Sequence, residues 1–99
     1  MAMFLVMLRQ AGPEWRQGGP LEDQSGWAAH ASFMDGLVDD GVIVLGGPLA
    51  GEGRVAHAVE AASAEAVLAT FARDPWSGSH LLVESIEPWT IRLDSRARP

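Results

Sequence analysis

Apolar residues along this chain gather in blocks separated by glycine- and proline-rich breaks, and the spacing within each block predicts its structure. Residues 4–8 (Phe4-Leu5-Val6-Met7-Leu8) are apolar at every position and end at Arg9 and a Gly12-Pro13 break, which predicts a first strand. Residues 12–22 hold three glycines and two prolines and read as loop. Asp23, Gln24 and Ser25 offer helix-start chemistry. Beyond them Trp27, His30, Ala31, Met34, Leu37 and Val38 share one face at helical spacing, opposite Ala28, Ser32, Asp35 and Asp39, so the pattern predicts an amphipathic helix over 25–40 that stops at Gly41. Val42 to Leu45 reads as a second strand halted by a tight turn at Gly46-Gly47-Pro48, and residues 54–60 as a third. Ser63 is placed to cap a second helix carrying Ala64, Val67, Leu68 and Phe71 as its stripe, closed by Asp74-Pro75 because proline disfavours helical geometry in the preceding residue. Residues 81–86 predict a fourth strand, and the alternation in Trp89-Thr90-Ile91-Arg92-Leu93 predicts a short extra strand at the C-terminal end.

This order is βαββαβ plus a tail strand, the split βαβ or ferredoxin-like plan of an α+β domain, in which two helices cover one face of an antiparallel sheet. An antiparallel sheet with one wet face should alternate apolar and polar residues. Residues 4–8 and 42–45 do not alternate; they are apolar throughout. Two helices shield only one face, so the other is expected to be buried against a second copy of the chain, sheet to sheet.

Composition narrows the partners. Residues 1–99 fit one domain, and 47% apolar with 20% charged residues is an ordinary globular balance. A formal net charge of -6 repels a phosphate backbone, and the arginine-bearing tail around Arg92 and Arg96 is interrupted by Asp94, so no nucleic-acid partner is expected. There is no cysteine, hence no disulfide framework, thiol nucleophile or thiolate metal site; a cytoplasmic location is the default expectation. The apolar start lacks a basic leader and meets Arg9 early, so it reads as a strand rather than a signal or membrane span.

The helix-one segment with His30, the run Gly41-Val42-Ile43-Val44-Leu45-Gly46-Gly47-Pro48-Leu49, the Asp74-Pro75-Trp76 stop and the ending Ile86-Glu87-Pro88-Trp89 together resemble the YCII-related family over nearly the whole chain. The resemblance implies a homodimeric α+β barrel formed by two ferredoxin-like sheets. It also implies an active-site cleft holding a helix-one histidine and the aspartate of the Asp-Pro stop, here His30 and Asp74. One branch of the family resembles a dehydrochlorinase of chlorinated hydroxyhydroquinones, but the fold alone names no substrate. Two features depart from the family pattern: a longer, glycine-rich 10–24 loop, and Trp76 where Tyr or Phe is more usual.

Each of these residues also has a plain structural reading. His30 on an apolar helix face is a core imidazole in need of a hydrogen-bond partner; paired with Asp74 it becomes an oriented acid or base. Asp74 before proline is by itself a common turn-former. Gly47 and Pro48, with the loop tryptophans Trp15 and Trp76, are candidate walls of a small-molecule pocket, while Trp27 and Trp89 suit the core or the dimer seam. His57, between Val55 and Val59, is expected on the dimer-covered face, and His80 opens strand four. The three histidines have no ligand spacing, so no metal site is assigned, and without a glycine-rich nucleotide fingerprint no cofactor is expected. Ser32, Ser77 and Ser79 lack a nucleophile-elbow motif. Two functional expectations follow. One is a cofactor-independent enzyme in which His30 and Asp74 move a proton on a small cyclic or enolisable substrate, as in a lyase or dehalogenase-like elimination. The other is a non-catalytic domain of the same shape, holding a ligand or serving as a dimeric accessory.

Overall fold

The computed structural model describes residues 1–51 and 53–97. Its elements are β1 (Ala2–Gln10), α1 (Trp27–Asp39), β2 (Ile43–Pro48), β3 (Arg54–Ala61), α2 (Ala64–Phe71) and β4 (Leu81–Pro88), with single 3-10 turns at Leu21–Asp23 and Ser95–Ala97. The strands form one antiparallel sheet in the order β2-β3-β1-β4, and this α+β arrangement is ferredoxin-like. Among the described residues no helix is long and apolar enough to cross a membrane.

One face of the sheet carries Phe4, Val6 and Leu8 of β1 and Val55 and Val59 of β3, which pack with Leu37 of α1 and Val67 and Phe71 of α2 into the core. Both helices therefore lie over the same face. The helix ends follow local rules: the Ser63 hydroxyl accepts from the Ala66 N–H at 3.1 Å to cap α2. Gly41, at φ 76°, takes the left-handed position after α1. There the Gly41 and Val42 N–H groups reach the Val38 and Leu37 carbonyls.

Five sequence expectations need correction. The helix over 25–40 begins instead at Trp27, behind Gly26 in a left-handed conformation, because Gln24 and Ser25 are engaged elsewhere. Helix α2 ends at Phe71 rather than at Asp74-Pro75; turns through Thr70 and Phe71 carry the chain on to Asp74. Gly46-Gly47-Pro48 is not a turn but the second half of β2, pairing with His57, Ala56 and Val55. The proline is tolerated because β2 is an edge strand. The tail strand does not form: residues 89–94 carry the expected alternation but make no ladder with either edge strand, and their apolar side chains lie beside Met3, Val44, Leu45 and Ala58 instead. Among the described residues only the Trp89 N–H continues the pairing, to the Met3 carbonyl at 2.9 Å. Val38 and Leu68, placed on the apolar stripes by spacing, lie about half exposed, since each helix meets the sheet over a narrower contact than its stripe.

The uncovered face carries Met3, Leu5 and Met7 of β1, Ala56 and Ala58 of β3, and Leu45 and Leu82 from the edge strands. Leu45 is 67% and Leu82 42% exposed. At one end Glu84 binds both Arg9 and Arg54, and these hydrogen bonds hold its carboxyl below the usual range. The centre of this face is thus apolar and its margin charged.

Gly46 has a specific steric reason. A Cβ there would fall 1.8 Å from Nδ1 of His57, while a Cβ on Gly47 would meet nothing within 4 Å. Gly46→Ala is expected to lower the urea midpoint by an amount equivalent to about 1–3 kcal/mol at unchanged slope, and Gly47→Ala to leave it nearly unmoved.

Candidate functional site

His30 comes from the first turn of α1 and Asp74 from the turn after α2, 44 residues later, and the fold brings them into contact. His30 Nδ1 lies 2.8 Å and 3.0 Å from the two carboxylate oxygens of Asp74. Both side chains are buried, at 9% and 2% exposure. The carboxylate is itself fixed by its own turn, accepting from the Trp76 backbone N–H at 2.9 Å, while the Ser77 N–H reaches the Asp74 carbonyl. The turn-former and the histidine partner are therefore one carboxylate acting twice. Because a carboxylate can only accept, Nδ1 of His30 carries the proton, and Nε2 is left as the basic nitrogen. Among the described residues Nε2 has no hydrogen-bond partner.

Trp76 organises the surrounding rings. Its indole stacks on His30 with centroids 4.0 Å apart and planes 6° from parallel, and on His80 at 4.7 Å and 13°. Its Nε1–H donates to the Ser25 carbonyl at 2.8 Å, which ties the start of α1 to the same ring. His80 is held between the Ser25 hydroxyl at Nε2 (2.9 Å) and the Ser79 hydroxyl at Nδ1 (2.8 Å), so both of its nitrogens are satisfied. Gln24 ties down the long loop by exchanging hydrogen bonds with the Arg16 backbone and donating to Gly19.

In front of His30 is a cavity of about 230 Å³ whose wall includes Trp27, Trp76, Gly47, Pro48 and His57. Leu21, Met34, Val55 and Leu81 complete its apolar lining. Of the residues expected at the site, His30, Gly47, Pro48 and Trp76 meet at this cavity, with Asp74 behind His30. Trp15 does not line it; that ring packs edge-on against Trp76, centroids 6.1 Å apart, and supports the wall from behind. Trp27, expected in core or seam, is part of the wall. A larger hollow of about 440 Å³ in the 16–24 loop, lined by Arg16, Gln17, Gly19, Pro20, Asp23 and Gln24, holds none of the candidate residues.

His57 was hidden by its strand pattern. It lies not on the uncovered face but with Val55 and Val59 beneath the helices, stacked on Phe71 at 5.7 Å. The period-two reading correctly grouped it with the two valines, yet alternation cannot say which face the helices will cover. Burial, and then the nearby His30, push its pKa down to about 4, against an opposing pull from Asp74. Its Nδ1 is fully buried without a partner. Among the described residues no group of three His, Asp or Glu side chains gathers as a metal site.

No family model matches the chain, and neither does any curated protein or solved structure.

Two outcomes test this geometry. Removing the carboxylate with Asp74→Ala strands Nδ1 of His30 and the Trp76 N–H, and should destabilise the fold by about 3–5 kcal/mol in urea unfolding. For His57, the unfolded chain binds a proton near 6.5 and the folded chain only near 4, so folding stability present above pH 6.5 is lost as the pH falls toward 4. The loss attributable to His57 should reach about 3 kcal/mol at pH 4, read as the difference between the pH–stability curves of the native chain and a His57→Phe variant.

Proposed function

We propose that this chain is a cofactor-independent small-molecule enzyme of the YCII-related type, in which His30 and Asp74 move a proton on a small cyclic or enolisable substrate. The observation that carries this reading is the buried His30–Asp74 contact with the unpartnered Nε2 of His30 at the wall of a mostly apolar cavity. Asp74 fixes the ring's tautomer and orientation and stabilises the imidazolium formed when Nε2 takes a proton. The stacked indole of Trp76 holds the plane of the imidazole, and Gly47 and Pro48 shape the opposite wall. Proton abstraction beside a carbonyl is then followed by return of the proton elsewhere, an isomerisation, or by departure of a leaving group such as chloride, a lyase-type elimination.

The enzyme works, in this proposal, as a homodimer joined through the uncovered sheet faces. An apolar centre of Leu5, Met7, Ala56 and Leu45 with a charged margin at Arg9, Arg54 and Glu84 has the anatomy of a self-complementary interface. Beside it, Trp89, Ile91 and Leu93 of the tail form a hollow of about 310 Å³ with Met3, Val44, Leu45 and Ala58, which offers the second copy further apolar contact.

Isomerisation of 3-cyclohexenone to the conjugated 2-enone, and chloride release from a chlorinated hydroxyhydroquinone, test the chemistry. Turnover of either probe that falls about 10²–10⁴-fold in His30→Ala supports the proposal. Saturable binding of these probes without turnover or solvent-deuterium incorporation moves the chain to the non-catalytic ligand-binding reading. Separately, analytical ultracentrifugation should show a dimer that Leu45→Asp converts to a folded monomer; a native chain that sediments as a monomer at high micromolar concentration rejects the dimer.

A further inference from the structure

We infer that His57 is the second polar contact of the cavity, donating a hydrogen bond from Nε2–H to a carbonyl or phenol oxygen of an uncharged, single-ring ligand whose proton faces Nε2 of His30. This rests on the proton-transfer reading above and adds to it the residue that meets the oxygen and the class of ligand that fits.

The lining sets the ligand class. Among the described residues, the polar side-chain groups of the lining are the imidazoles of His30 and His57 and the indole N–H groups of Trp27 and Trp76, the last of which is spent on the Ser25 carbonyl; no Arg, Asp or Glu lines it. A ligand with a fixed carboxylate or phosphate would meet this mostly apolar wall without a counter-charge, which is costly wherever water is displaced. About 230 Å³ beside the contacting indoles of Trp27 and Trp76 suits one ring with a few substituents.

His57 itself is an unfinished hydrogen-bonding group. It is 7% exposed, yet neither ring nitrogen has a partner among the described residues. Nδ1 is sealed, for the direction of the missing Gly46 Cβ ends 1.8 Å from it. That direction is occupied by an α-hydrogen of Gly46, so the Nδ1 lone pair faces a C–H and the ring proton resides on Nε2. Nε2 is the nitrogen that is not sealed, and His57 shares the wall of the cavity with His30. Burial and the neighbouring His30 keep this imidazole uncharged at neutral pH, so it donates without placing a second positive charge beside a protonated His30.

The two imidazoles then divide the work. Nε2 of His30 takes a proton from the carbon beside the ligand's carbonyl. The C–H electron pair becomes a carbon–carbon double bond, and the carbonyl π pair moves onto oxygen, where Nε2–H of His57 meets the developing negative charge. Return of the proton from His30 to the far end of the conjugated system gives the isomer. Alternatively, the electrons return from oxygen and expel a chloride ion, and His30 releases its proton to solvent.

The probe is p-nitrophenol, whose phenolate band reports ionisation on binding. At pH 6 the native chain should bind it with an increased phenolate fraction. His57→Phe, which keeps an aromatic ring over Phe71, should weaken binding of the ionised form about tenfold or more, while His57→Gln, which retains a side-chain N–H donor, should stay within about threefold of native. The ¹⁵N-coupled Nε2–H resonance of His57 should move downfield in the complex, a change that a packing role does not produce. Native-like binding by His57→Phe, or an unmoved Nε2–H resonance, overturns the inference while leaving the His30 reading intact. Absence of saturable binding at millimolar p-nitrophenol overturns the ligand class and the inference with it. Loss of the phenolate band in His57→Phe but not in His30→Ala keeps the His57 contact and instead removes His30 as the base.

Discussion

The carboxylate of Asp74 is where the local and the long-range structure of this chain meet. Its oxygens receive the Nδ1–H of His30 and the Trp76 backbone N–H, so one buried group closes a turn and joins the start of α1 to the segment after α2. Desolvating a carboxylate is expensive, and here two donors offset the cost. With the turn closed, Trp76 lies flat between two imidazoles, and its Nε1–H reaches back to Ser25. The cavity wall is a consequence of that stack. Remove the carboxylate and the rings lose what holds them parallel, as His30 loses its charge partner.

Much of the fold is legible along the chain because the dominant signals are simple. Continuous apolar runs mark β1 and the start of β2, helical spacing marks α1 and α2, and Ser63 and Gly41 mark helix ends by mechanisms that act within a few residues. The helix ends fall a few residues from the expected ones for local reasons, whereas the larger failures depend on what lies across the sheet. Gly46-Gly47-Pro48 has turn composition, yet β3 recruits it as an edge partner. Trp89 to Leu93 has strand alternation, yet it lies beside Leu45 and Ala58 without joining the ladder. Among site residues, His30 and Asp74 could be singled out by position and resemblance, whereas their contact is a property of the folded chain. His57 could not be placed, since its neighbours Val55 and Val59 would be equally suitable on either face. A clue was present in Gly46, the register partner of His57, whose lack of a side chain makes sense only once the imidazole above it is known.

The two faces of the sheet hold different kinds of apolar surface. Beneath the helices, Val6, Val59 and Val67 are wholly enclosed. On the other side Leu5 and Met7 are only partly covered and Leu45 stands well out, with charge confined to the margin. A chain of this size hides a modest share of its surface by itself, and its unspent apolar area is concentrated on one flat side rather than scattered.

Gly46 and His57 occupy adjacent strands, and each limits what the other can be. A bare α-carbon lets the imidazole lie against β2; a side chain at 46 would require a smaller residue at 57. The pair therefore behaves as a single heritable unit across two strands: a side chain at 46 carries a penalty for as long as the imidazole stays, and an imidazole at 57 carries the same penalty wherever the neighbouring strand is not bare.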